Sequence, residues 1–427
     1  MNFKKKLEKL LPKSQFSKNV LTVITGSSIA QAIPILSMPI LTRIYTPEDF
    51  GAFGVYLALC TIISAIITGR YDIAIILPKK DSEAIQLLAL SISLSILISL
   101  FLFITTHLTY ENIIKKNISE NFKHLIYLIP ISVMITGIYQ SLNYWCNRKK
   151  KFMVISVSRV SQTSGAVLIQ LISSIITRGS LNLVLGQIFG QIIGSIIFIQ
   201  SEAKNLLYHK KYISIKRVII LAKKYKNFPL HLIFSHLFNS LSSQSAILFI
   251  NHCFTSVASG FYMLADRLLA VPTSLIAGAI GDVFRQEASK TYAHTGQCKE
   301  IFIKTFRKLL ILSVAPFLIL FFLSEQIFSF VFGEDWRIAG EYAKILTPVF
   351  MLRFITTPIS QVAIIAGKTK IDLAWQIALL LSTSIALIIG YYSKNLIYFL
   401  YSYSTLYSLL FILSLIINYR ISAGKEI

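Results

Sequence analysis

Twelve predominantly apolar stretches follow one another through this chain, at 19–41, 52–69, 84–106, 124–145, 152–176, 182–200, 228–250, 258–281, 306–330, 342–366, 371–393 and 396–418. A helix of about 20 residues spans the roughly 30 Å hydrocarbon core of a bilayer, so most of these blocks are long enough to cross it. Backbone N–H and C=O groups find no water in hydrocarbon and must pair within their own segment. The expectation is therefore an all-α, polytopic membrane protein with about twelve transmembrane helices. A composition of 54% hydrophobic and 14% charged residues excludes an ordinary soluble domain. The first block follows a basic N-terminus, but no small-residue cleavage site comes after it, so it is read as retained.

A net charge of +23 suggests nucleic acid at first sight. The distribution of the cations argues against that partner. Lysines and arginines gather on alternate connecting segments, leaving Arg43, Lys115, Lys116, Lys123, Arg178, Arg337, Lys344 and Lys394 for the opposite side. The positive-inside rule then places both termini in the cytoplasm. The connector 202–226 is basic and partly amphipathic, which suits the inner membrane surface and its anionic lipid. A plain linker obeying the same charge rule is the competing reading.

The halves on either side of that connector are weakly alike. Gly54-Val-Tyr56 parallels Gly260-Phe-Tyr262, Pro130 parallels Pro348, and both corresponding spans end in a basic turn. Two pseudo-repeated six-helix bundles around a central cavity are expected, with a division at 1–201, 202–226 and 227–427. Eight of the eleven prolines fall inside spans, where freed backbone groups need burial or water. Gly186, Gly190 and Gly194 recur at four-residue spacing and read as a close helix contact.

Charges inside apolar runs carry the functional signal, because one at a helix centre costs about 2.5–3.5 kcal/mol on insertion scales. Asp266 and Arg267 stand inside 258–281, with Tyr262 on the Asp266 stripe. They line a wet path or form a structural ion pair. Arg353 lies near the middle of 342–366, between Pro348 and Pro358, beyond snorkelling reach of either surface. Arg70, Asp72 and Arg43 stand at span ends, where interfacial anchoring competes with a cavity role. His231, Ser235, Asn239 and Ser242 share a face that could bind sugar hydroxyls or bond to a neighbouring helix. If they face a cavity, four arginines suit a substrate carrying phosphate, which guanidinium grips with two hydrogen bonds.

No P-loop, HExxH, nucleophile elbow or Cys/His cluster is present, so no enzyme, metal or cofactor is expected. The four cysteines show no paired spacing.

The segments GFYMLADRLLAVPTSLIAGAIGDVFRQEAS, FGEDWRIAGEYAKILTPVF, ILSMPILTRIYTPEDFGAFGVY and GRYDIAIILP resemble the O-antigen and polysaccharide flippases of the Wzx type. Their superfamily also holds MATE multidrug exporters and lipid II flippases. The resemblance covers nearly the whole chain and implies a MATE-like, two-lobed fold in a bacterial inner membrane. It implies flipping of an undecaprenyl-pyrophosphate-linked oligosaccharide to the outer leaflet by alternating access, coupled to H+ or Na+. A polysaccharide polymerase and a chain-length regulator are the partners it suggests. On this reading Arg267 and Arg353 hold the pyrophosphate, and Asp266 or Asp72 carries the coupling ion. The alternatives are a MATE-type drug exporter, which needs an acidic cavity, and a polysaccharide polymerase, which normally has a large external loop.

Overall fold

The structure is a computed structural model that describes residues 15–110 and 120–424. Among them every regular element is a helix. The first half comprises α1 (Gln15–Ile44), α2 (Pro47–Ser64), α3 (Tyr71–Ala74), α4 (Asp81–Thr109), α5 (Glu120–Ile126), α6 (Leu128–Arg148), α7 (Phe152–Ser173), α8 (Ser180–Lys210) and α9 (Ile215–Lys224). A π-helical turn, Phe228–Leu232, leads to α10 (Ile233–Cys253) and α11 (Ser256–Pro272). A second π-helical turn, Thr273–Ala277, joins α11 to α12 (Gly278–Thr295). Then come α13 (Lys299–Phe332), α14 (Arg337–Ile359), α15 (Val362–Ile365), α16 (Thr369–Ser393) and α17 (Leu396–Ser422).

Nine described helical stretches are long and apolar enough to cross a membrane. The other three expected spans fold as the helices α1, α2 and α10; Glu48 and Asp49 open α2, and α10 holds Asn239, Ser242, Ser243 and Gln244. Large apolar side chains point outward, among them Phe101, Ile311, Phe322 and Phe330. In a soluble protein that surface would aggregate; in a bilayer it is solvated by lipid.

The chain divides into two compact units, one of Met1–Met38 with Leu59–Leu237, the other of Pro39–Ala58 with Phe238–Ile427. This grouping differs from the division expected at 201 and 227. The connector joins the first unit, and Pro39–Ala58 joins the second. The reason for the latter is a close backbone crossing of α2 and α11. A Cβ on Gly51 would strike the carbonyl of Ser256, and one on Gly260 would strike the carbonyl of Pro47. Trp336 seals the contact. Its ring meets Phe50 and Phe261 edge-on, and its Nε1 donates to the Thr42 carbonyl at 3.0 Å.

In the first unit the expected span 52–69 does not continue as one helix. Gly69 and Arg70 both take φ of 58°, which breaks the run before the single turn of α3. Arg148, at the end of α6, donates to the carbonyls of Ile76 and Pro78 at 3.1 and 2.5 Å, so it satisfies acceptors in the segment between α3 and α4. Arg148 and Lys149 also pair with Asp81. Lys151 pairs with the fully buried Glu202, which accepts from Trp145 Nε1 at 3.0 Å. The basic turn therefore ties α4, α6 and α8 together, beyond any orienting role. Gly186, Gly190 and Gly194 lie against Gln170, Gln162 and Ser158 of α7, as close helix contact requires.

The crossing of α2 and α11 sets the first prediction. Gly260→Ala is expected to lower stability by about 1–3 kcal/mol through overpacking. Gly278→Ala, with open space around it, is expected to raise stability by about 0.5–1 kcal/mol. Thermal unfolding of the purified variants in detergent measures both, and a Gly260→Ala protein that melts with the wild type would contradict the crossing.

Candidate functional site: a polar cavity in the second unit

Within the second unit a cavity of about 740 Å³ opens among α10, α11, α14, α16 and α17. Its wall is polar for a chain this apolar. Asn239, Ser242, Ser243 and Gln244 come from α10, Asp266 from α11, and Arg353, Thr356 and Thr357 from α14. Ser360 and Gln361 come just after α14; Trp375 and Gln376 come from α16, and Tyr403, Tyr407, Ser414 and Asn418 from α17.

Local structure explains how these side chains reach the space. α14 carries Pro348 and Pro358 on either side of Arg353, and a proline inside a helix removes a backbone bond and bends the run. α11 ends at Pro272, and the π-helical turn Thr273–Ala277 shifts the register of α12 relative to α11. Thr255 caps the start of α11, accepting from the Ala258 amide at 3.1 Å. From there Tyr262 and Asp266 fall one above the other.

Arg353 is exposed within this wall, and its guanidinium sits 5.7 Å from the centre of the Phe350 ring. Among the described residues no carboxylate lies within 4 Å of it. Asp266 is half-buried, with Arg353 and Arg267 as its charged neighbours. Two cations against one carboxylate leave the region net positive. A hydroxyl network runs through the wall. Tyr407 bonds to Thr383 at 2.6 Å and to Ser242 at 3.2 Å, and Tyr403 stacks on Tyr407 with centroids 4.4 Å apart. The buried Tyr262 adjoins Tyr403 and Asp266.

Of the residues singled out in the sequence, Arg353, Asp266, Asn239 and Ser242 line this cavity together. Tyr262 lies behind it. Arg267 is half-buried and is not part of the lining, and Arg43 is exposed at the last turn of α1. Arg70 and Asp72 belong to the first unit. There Arg70 Nη2 donates to Nε2 of His236 at 2.8 Å, and Asp72 accepts from Thr68 Oγ1 at 2.7 Å. His231 falls in the first π-helical turn, and its side chain lies outside the described residues. Sequence reasoning missed Trp375, Gln376, Tyr403 and Tyr407, which read as ordinary helix residues. It also missed Arg159. Arg159 stands two turns inside α7 and donates to Ser27 Oγ at 2.6 Å.

The hydroxyl network makes a second prediction. Tyr407→Phe and Thr383→Val are each expected to lower stability by about 1 kcal/mol, the usual net worth of a hydrogen bond. Because the two share one bond, the double variant should lose less than the sum. Strictly additive losses in thermal unfolding would rule out the shared network.

A family model described as "Polysaccharide biosynthesis protein" matches residues 40–340. The teichuronic acid biosynthesis protein TuaB of Bacillus subtilis (strain 168) is 21% identical over 338 residues, 77% of this chain and 66% of that protein. The succinoglycan biosynthesis transport protein ExoT of Rhizobium meliloti (strain 1021) is 21% identical over 351 residues, 81% of this chain and 67% of that protein. The matches thus span about two thirds of the length of these relatives. Among solved structures, an inward-facing multidrug resistance MATE family transporter of the MOP superfamily superposes with a TM-score of 0.72 at 14% identity, covering 94% of this chain and 98% of that one. The lipid II flippase MurJ, in an inward closed conformation, gives 0.71 at 17% identity, covering 94% and 90%. At these identities the structural likeness shows the fold alone.

Proposed function

We propose that this chain, a member of the polysaccharide biosynthesis protein family, is a flippase for an undecaprenyl-pyrophosphate-linked oligosaccharide, in the superfamily that holds the MATE and MurJ transporters. The repeat unit of a surface polysaccharide would pass from the inner to the outer leaflet of a bacterial inner membrane. The lipid tail can stay in hydrocarbon throughout. The obstacle is the head group: each unsatisfied polar group moved into hydrocarbon costs about 2–7 kcal/mol, and a bare charge far more.

The observation that carries the reading is the exposed guanidinium of Arg353 in a cavity otherwise rich in hydroxyls and amides. Guanidinium replaces water around phosphate, and hydroxyls and amides replace it around sugar. Arg267 supports the positive field from behind. Asp266 is the group we assign to the coupling ion, H+ or Na+, with Asp72 as the alternative in the first unit. Both termini face the cytoplasm on this reading. The exposed Ile215, Ile219 and Ile220 of α9, with Lys216, Arg217, Lys223 and Lys224, rest on anionic lipid there. A polymerase and a chain-length regulator would receive the exported unit. A cation-exporting drug transporter is disfavoured, because its cavity needs a net negative field.

Arg353→Ala, present at wild-type levels in the membrane, is expected to cut export roughly 10- to 100-fold, the equivalent of one charge-assisted contact. Arg353→Lys should recover part of it, keeping the charge but losing the fork. Surface polysaccharide and the lipid-linked repeat units held on the inner leaflet are the two readouts. Full surface polysaccharide in Arg353→Ala cells would refute the assignment. A deletion that raises drug sensitivity and leaves polysaccharide intact would favour the drug exporter.

A further inference from the structure

The face of the cavity formed by α10 and α16 holds a feature that phosphate binding does not use. Asn239 Nδ2 donates to Gln376 Oε1 at 3.0 Å, and both residues line the cavity. Among the described residues, that bond is the one these two side-chain amides make. Each amide has an NH2 donor group and a C=O acceptor, so a single bond between them leaves the Asn239 C=O and the Gln376 NH2 group wholly unpaired. The same holds if both amides are turned over, because the roles simply exchange. The free acceptor and the free donor sit on different side chains.

Beside them stands Trp375, half-buried, with its ring against Phe411 at 5.6 Å between centroids. An indole fixed in this way offers a flat apolar surface to the C–H face of a sugar ring or to a methyl group. A volume of about 740 Å³ falls within the range of small-molecule sites, roughly 300–1,000 Å³. It has room for a phosphate and a sugar together.

We propose that Asn239, Gln376 and Trp375 form a subsite for an acylamido sugar placed next to the phosphate held by Arg353. An acylamino group presents one N–H and one C=O on separate atoms, the complement of what the amide pair leaves free. Its acyl methyl and the sugar ring lie against Trp375. A hydroxyl at the same position is a single oxygen and spans the two side chains less well. The subsite makes Asn239 and Gln376 specificity-determining residues. It rests on the flippase reading, because it needs a sugar phosphate in this cavity.

The test compares two soluble probes that differ only at this group, N-acetylglucosamine 1-phosphate and glucose 1-phosphate. Each is titrated against the full chain in lipid nanodiscs, with ligand-observed NMR as the readout. The wild type is expected to favour the acetamido probe by about tenfold, as two net hydrogen bonds allow. Asn239→Leu and Gln376→Leu should each bring that ratio close to one, and thermal unfolding confirms that each variant is folded. Arg353→Ala should weaken both probes alike. Equal binding of the two probes by the wild type, still lost in Arg353→Ala, overturns the amide subsite and leaves the phosphate reading standing. An unchanged preference in both folded leucine variants also overturns the subsite. Binding of neither probe, or binding indifferent to Arg353→Ala, overturns the subsite and the flippase reading together.

Discussion

A charged or hydrogen-bonding group inside a membrane must find a partner or water, and the second unit is arranged around that requirement. The helices that enclose its cavity set their apolar faces against lipid and against each other, and turn serines, amides, tyrosines, Asp266 and Arg353 inward. The outward faces show the reverse distribution, with exposed Ile, Leu and Phe. A dry core would have no use for Arg353, whose guanidinium has no carboxylate within 4 Å among the described residues. A water-filled one solvates it without an ion pair and leaves it available to an anion.

The two units meet the same physical demand by different means. In the first, charged groups find partners within the protein: carboxylates for Arg148, Lys149 and Lys151, His236 for Arg70 and Ser27 for Arg159. Glu202 is buried with Lys151, Trp145 and Asn205 around it, and Arg148 joins Asp81 to the carbonyls of Ile76 and Pro78. Such sets stitch helices together, and removing one member strands the others. In the second, Arg353 is left without such a partner among the described residues. That asymmetry is the main reason to place anion recognition there.

Much of this was legible in the sequence. Apolar blocks of membrane length show up because hydrocarbon permits little else, and they mark the helices well. Asp266 and Arg353 stand out because charge is rare in such runs. Three kinds of feature were hidden. The break at Gly69 and Arg70 depends on backbone angles that the local composition does not dictate. Trp375, Gln376, Tyr403 and Tyr407 look ordinary on their own helices and become a site only when α16 and α17 are packed against α10. The reach of Pro39–Ala58 into the second unit was equally out of view, because it rests on two glycines more than 200 residues apart.

Water in the cavity is the claim on which the functional account stands, and thiol accessibility measures it directly. In a background lacking the native cysteines, Ser243→Cys and Thr357→Cys place a thiol on the cavity wall, while Phe322→Cys and Leu381→Cys place one on the outward apolar surface. Proteoliposomes would be treated with a charged, membrane-impermeant thiol reagent supplied on both sides. The account predicts rapid modification of the two cavity positions, slowed by pyrophosphate, and little at the outer two. Cavity thiols as inert as the outer ones would show that the space is dry and that no hydrated head group passes through it.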